Sequence, residues 1–252
     1  MASVVDDTDD DMVNEDGPLI GILACDHVSP ELREASRDRD YDDMYGEMMR
    51  AAEPSIRTRT YDVVGGELPS SPDECDAWIV TGARYDAYRD EPWIVGLRKF
   101  IASVLEHQSR LVGVCFGHQA VAHALGGKAE NTGTWKAGPQ LLHVEDTPWF
   151  EGGSVRVNAM HQDVASSIPP GARTIATGDT ADHPMFLVGD NILCIQDHPE
   201  YDAAYISALV EARRPRMGDE ITDAALATIE RDPVDNATTG RWLTDFLLDR
   251  RR

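Results

Sequence analysis

Few folds accommodate the run Leu111-Val112-Gly113-Val114-Cys115-Phe116-Gly117-His118-Gln119. Its first four residues form a short apolar stretch of the kind that fills a buried strand. A helical pattern then runs over residues 119–125 and closes at Gly126-Gly127. A strand that passes so quickly into a helix needs a sharp turn, and the residue there is often held in a strained backbone conformation. Its side chain then points out of the sheet, and the N–H groups that follow open the helix. Those groups, with the positive end of the helix dipole, favour a thiolate and a developing oxyanion. Gly113 and Gly117 flank the turn and permit close packing around it. A cysteine that ends a strand is, taken alone, more often a core residue. Reading Cys115 as a nucleophile therefore depends on finding a base elsewhere.

The segments before this elbow alternate between strand and helix. Residues 18–25 read as a first buried strand, and residues 26–43 as a polar loop entering a helix that continues over 44–52 until Pro54 stops it. Residues 56–64 and 77–80 give two more strands, the latter ending in Thr81-Gly82-Ala83-Arg84. Residues 91–107 form the clearest helix, with Ile94, Leu97, Ile101, Val104 and Leu105 on one face and Pro92 near its start. This order predicts an α/β fold: a doubly wound, mostly parallel sheet with helices on both faces. Such sheets carry their sites beyond the carboxyl ends of the strands, where Cys115 and the 81–85 loop would meet.

Residues 129–196 carry shorter signals at 141–144, 155–157, 173–177, 185–188 and 192–195, separated by turn residues, and predict a small antiparallel or mixed β section. Residues 201–213, 220–231 and 238–249 read as a helical C-terminal extension. The first 16 residues are acidic and poor in apolar side chains, which predicts a disordered tail before a single domain over 17–252.

The formal net charge is −22, and Lys99, Lys128 and Lys136 are the only lysines. So dense a carboxylate surface fits a high-salt cytoplasm, where ions screen self-repulsion. No basic stripe exists to bind nucleic acid. No apolar run approaches membrane-spanning length, and no signal peptide is visible, so a cytoplasmic protein with reduced thiols is expected. Cys25, Cys75, Cys115 and Cys194 include no CxxC pair, and the histidines show no ligand spacing, so neither a metal nor another cofactor is expected.

The candidate base lies in Gln196-Asp197-His198-Pro199-Glu200. His198 follows a buried-type strand, and Glu200 can lie beside it and accept its second ring N–H. The pattern Gly113-Val114-Cys115-Phe116-Gly117-His118-Gln119 followed by His198-Pro199-Glu200 resembles the class I glutamine amidotransferase family. Met160-His161-Gln162-Asp163 resembles that family's substrate-side loop, and Thr81-Gly82-Ala83 its oxyanion loop. The stretch from Tyr85 to Trp93 and the closing helix around Trp242 are similar to the stand-alone branch, which includes γ-glutamyl peptidases and proteins related to GMP synthase.

The resemblance implies a flavodoxin-like amidotransferase fold with a Cys115, His198, Glu200 triad. It implies an oxyanion hole from the N–H of Phe116 and of Gly82 or Ala83, and a substrate pocket lined by Gln119, His161, Gln162 and Asp163. Asp197 stands where the family often has an apolar residue, as a branch difference or as surface acidity. The implied activity is hydrolysis of a γ-glutamyl amide through a thioester on Cys115. The leaving group is ammonia from glutamine, passed to a separate synthetase subunit, or an amine or peptide released by a γ-glutamyl peptidase. No GxxxxGK[ST] loop for ATP is present. A non-catalytic binding module is the remaining alternative.

Overall fold

The computed structural model describes residues 17–252; the acidic tail expected over 1–16 lies outside them. In chain order the elements are β1 (Leu19–Ala24), α1 (Tyr41–Ala52), β2 (Arg57–Asp62), β3 (Ala77–Val80), α2 (Pro92–Glu106), β4 (Arg110–Val114), α3 (Phe116–Ala124), β5 (Lys128–Val144) and β6 (Gly153–Ser167). There follow β7 (Arg173–Thr174), β8 (Ala176–Gly178), β9 (Met185–Val188), β10 (Ile192–Ile195), α4 (Ala203–Ala212), α5 (Arg214–Met217), α6 (Asp219–Arg231) and α7 (Asn236–Leu247).

Seven strands form the main sheet in the order β2-β1-β3-β4-β10-β9-β7, and β6-β5-β8 form a smaller antiparallel sheet. The strands from β2 to β10 in this order are parallel; β9 is antiparallel to both of its neighbours. The inner strands are apolar throughout because both faces are covered. Alternate residues enter opposite layers: Ile79, Val112, Leu193 and Ile195 pack on the side of α1 and α7, while Trp78, Val80, Leu111 and Cys194 pack on the side of α2 and α3. Each such side chain, fully removed from water, contributes about 1.5–3 kcal/mol.

The β section differs from expectation in two ways. The short signals near 141–144 and 155–157 are parts of two long strands, β5 and β6, paired antiparallel across a register shift between Asn131 and Lys136. The polar first half of β5 has no strand pattern of its own and is ordered by its partner's backbone. The strands β7, β9 and β10 belong to the main sheet, and β10 lies directly beside β4 in parallel register, Val114 opposite Ile195. Among the described residues no helix is long and apolar enough to cross a membrane.

That register positions the site. Cys115, immediately past β4, donates its N–H to the Ile195 carbonyl at 2.9 Å. His198 follows three residues after Ile195. On the other flank of β4, Val80 is opposite Gly113, so the 81–85 loop leaves the sheet at the same end. Three chain segments distant in sequence thus meet because β3, β4 and β10 are neighbours running the same way.

Candidate active site

Cys115 joins β4 to α3 with φ 51° and ψ −100°, a left-handed conformation that a residue with a side chain adopts only at a cost. The surroundings enforce it. A Cβ on Gly113 would sit 2.7 Å from the Gly117 carbonyl oxygen, and one on Gly117 would sit 2.5 Å from the Val80 carbonyl oxygen. Both neighbours are backbone, so the two glycines let α3 close tightly on β3 and β4. The turn places the sulfur at the head of α3, where unbonded N–H groups and the helix dipole favour negative charge.

His198 and Cys115 border the same cavity, and the Cys115 side chain bears on the imidazole electrostatically. The ring nitrogen Nδ1 is 2.7 Å from Glu200 Oε1. The His198 N–H donates to the Asn158 carbonyl at 2.7 Å, and Tyr201 stacks on the imidazole at 4.1 Å and 7° between planes. The ring is thereby fixed in position and plane. Burial opposes the imidazolium, but the Glu200 carboxylate and the Cys115 sulfur outweigh it, and the pKa of His198 is pushed up to about 10. A thiol that meets a protonated imidazole held by a carboxylate has the arrangement of an activated nucleophile. Burial pushes the thiols of Cys25, Cys75 and Cys194 up.

Cys115 and His198 open onto a cavity of about 110 Å³, whose wall also includes Ala83, Gln119, His161, Gln162 and Asp163. Seven of the residues singled out from the sequence therefore share one hollow. Three do not reach its surface. Glu200 lies behind His198, Phe116 is fully buried, and Gly82 turns its N–H toward the Tyr45 hydroxyl at 3.4 Å. Of the two residues left open by sequence, Ala83 borders the cavity. Gly82 has a different importance: a Cβ there would come within 2.6 Å of His198 Cε1. The Gln119 amide donates to the Asp163 carbonyl at 2.8 Å and ties α3 to β6. Burial raises the Asp163 carboxyl above the ordinary range, against a hydrogen bond from Asn131.

Asp197 is not surface acidity. It is wholly buried, accepts from the Thr180 hydroxyl at 2.8 Å and lies 3.3 Å from His161 Nε2. It belongs to the packing beneath the cavity wall that carries His161.

Sequence reasoning missed several groups. The Asp26 carboxylate takes the Arg84 guanidinium at 2.7 Å and the Arg84 N–H at 3.0 Å, clamping the loop after β3 onto the segment after β1. Tyr41, Trp135, Arg213 and Arg216 also line the cavity, Arg216 over the Trp135 ring. Arg84 directly follows Thr81-Gly82-Ala83 and Tyr201 directly follows Glu200; Asp26 lies in the loop after β1, and the rest sit on or at the ends of helices or in a polar strand.

Comparison with known proteins adds to this geometry. The family described as glutamine amidotransferase class-I matches residues 65–205. Gamma-glutamyl peptidase 4 of Arabidopsis thaliana is 28% identical over 206 residues, covering 75% of this chain and 80% of that protein. The GMP synthase [glutamine-hydrolyzing] of Thermus thermophilus is 36% identical over 95 residues, 36% of this chain and 18% of that protein. The crystal structure of a glutamine amidotransferase from Thermotoga maritima superposes with a TM-score of 0.69 at 22% identity, covering 92% of this chain and 97% of that one.

Proposed function

Since this chain belongs to the class I glutamine amidotransferase family, we propose that it hydrolyses a γ-glutamyl amide with Cys115 as nucleophile, His198 as acid and base, and Glu200 as the group that orients His198. The observation that carries this reading is the sulfur at the head of α3 sharing one cavity with a protonated imidazole backed by a carboxylate.

The Cys115 thiolate attacks the γ-carbonyl carbon, and the oxygen takes the displaced electron pair. The N–H of Ala83, at the cavity wall, and the backbone N–H of Phe116, which opens α3 directly after Cys115 although its side chain is buried, stabilise that oxyanion; one such donor contributes about 3 kcal/mol in comparable sites. His198 gives its proton to the departing nitrogen as the C–N bond breaks, leaving a γ-glutamyl thioester. His198, now neutral, takes a proton from water, and the hydroxide formed displaces the sulfur and frees glutamate. Gln119, His161, Gln162 and Asp163 surround the glutamyl end.

The leaving group is proposed to be an amine or peptide. Relatives named gamma-glutamyl peptidase align over 80% of their own length, whereas the GMP synthase match covers 18% of that protein. A glutaminase that passes ammonia to a separate synthetase subunit is the second reading, supported by the same GMP synthase match. Incubation with glutamine and with γ-glutamyl dipeptides, measuring glutamate, separates the two: release from dipeptides by the chain alone supports the first, and release from glutamine only when a second subunit is added supports the second.

The nucleophile is tested by intact-mass measurement after exposure to a glutamine-like diazoketone. A single adduct on Cys115, absent from Cys115→Ala, is the expected result. Equal, slow labelling of all four cysteines would sink the enzymatic reading and favour a binding module.

A further inference from the structure

Tyr45 lies on α1, outside the segment matched by the family and 155 residues from Glu200, yet its hydroxyl donates to Glu200 Oε1 at 2.7 Å. The phenol is completely buried. Its ring emerges from a helix whose start is fixed by a capping box between Asp40 and Asp43, with Tyr41, Met44, Tyr45 and Met49 on the buried face. The same oxygen of Glu200 serves both His198 and Tyr45, while Oε2 has no hydrogen-bond partner among the described residues. The carboxylate is thus held by two contacts, one to the imidazole it orients and one to this phenol. The Gly82 N–H donates into the phenol oxygen at 3.4 Å, which leaves the hydroxyl proton committed to Glu200. Burial and the neighbouring Glu200 keep the phenol protonated far above neutral pH, so the donor is present wherever the enzyme works.

We propose that Tyr45 is a positioning residue for the reaction, acting through Glu200: its hydroxyl fixes the carboxylate, and the carboxylate fixes the plane and proton of His198. A buried carboxylate with a single hydrogen bond can rotate about its last side-chain torsion; one gripped on the same oxygen from two directions cannot do so without losing both contacts. The assignment rests on the Cys115, His198 and Glu200 reading above, and it makes α1 part of the active-site framework.

The test uses Tyr45→Phe, which keeps the ring and its packing. Steady-state hydrolysis of a γ-glutamyl dipeptide and of γ-glutamyl-p-nitroanilide should show kcat lowered roughly 10- to 100-fold, with KM within about twofold of the parent. In a Glu200→Gln background the same change should lower kcat by no more than about twofold, because its route is already interrupted. Tyr205→Phe, which removes a hydroxyl bonded to Tyr41 but not to Glu200, should leave kcat unchanged. An unchanged kcat in Tyr45→Phe, or full multiplication of the two losses in the double variant, would overturn the assignment. If the parent protein cleaves none of these probes, the peptidase reading falls. The positioning claim is then decided by nitrogen-15 spectra of the His198 imidazole: a shifted or broadened Nδ1–H signal in Tyr45→Phe supports it, and an identical spectrum refutes it.

Discussion

The proton on His198 is where the chemistry of single residues meets the stability of the fold. Its pKa rises to about 10 although burial alone would lower it, since the neighbouring Glu200 and Cys115 side chains outweigh burial. Glu200→Gln removes the first of these influences and should bring the imidazole pKa down toward 6.5, read directly by nuclear magnetic resonance titration. The sign for stability follows from linkage. A histidine whose folded pKa exceeds its unfolded value stabilises the protein fully below about 6.5 and loses that contribution as pH rises through about 10. Urea midpoints of the parent and variant should therefore differ most at pH 6 and converge toward pH 10; a gap that widens with pH would contradict the ion pair. The same variant should lose at least roughly 100-fold in kcat, since a misoriented base transfers protons poorly. Cys115, His198 and Glu200 stood out as candidates in the sequence because reactive side chains followed closely on apolar strand patterns, those of β4 and β10. Tyr45 was not. A tyrosine on the apolar face of an amphipathic helix looks like any core residue until its hydroxyl partner, 155 positions away, is known.

At the scale of elements, the elbow depends on how closely α3 approaches its sheet. Gly117→Ala places a Cβ 2.5 Å from the Val80 carbonyl oxygen, and a backbone atom cannot swing aside as a side-chain tip can. The helix must shift away from β3, at a cost of about 1–3 kcal/mol. For a chain of this size that lowers Tm by roughly 2–4 °C per kcal/mol, measurable by calorimetry. An unchanged Tm would show that α3 has slack that the packing denies. Strands and helices before the elbow were readable because continuous apolar runs and a 3.6-residue period are strong local signals; β1, β3, α2 and β4 fall within a residue or two of expectation. The hairpin of β5 and β6 was not readable at its true length. Its polar half owes its conformation to hydrogen bonds with the opposite strand, and no local pattern records a partner's backbone.

For the whole molecule the dominant quantity is the net charge of −22. Most of that charge must lie in water, where carboxylates repel one another over a distance set by ionic strength: about 10 Å at 0.1 M salt and about 3 Å at 1 M. Raising sodium chloride across that range should raise Tm by several degrees, even though it weakens exposed ion pairs such as Arg37 with Asp202 and Arg89 with Asp86. A Tm that falls with salt would mean that the exposed pairs outweigh the general repulsion. Asp197 shows why composition cannot be read residue by residue: it counts toward an acidic surface in any tally, yet it is sealed beneath His161 with Thr180. The sequence alone determined the layered α/β architecture, the elbow and the identity of the nucleophile and base candidates, because hydrophobic period, glycine spacing and side-chain chemistry are properties of neighbouring residues. Only the tertiary structure decided that β10 lies beside β4, that Ala83 rather than Gly82 borders the cavity, and that a phenol from α1 grips Glu200, because each of these follows from which distant segments share a sheet edge or a buried hydrogen bond.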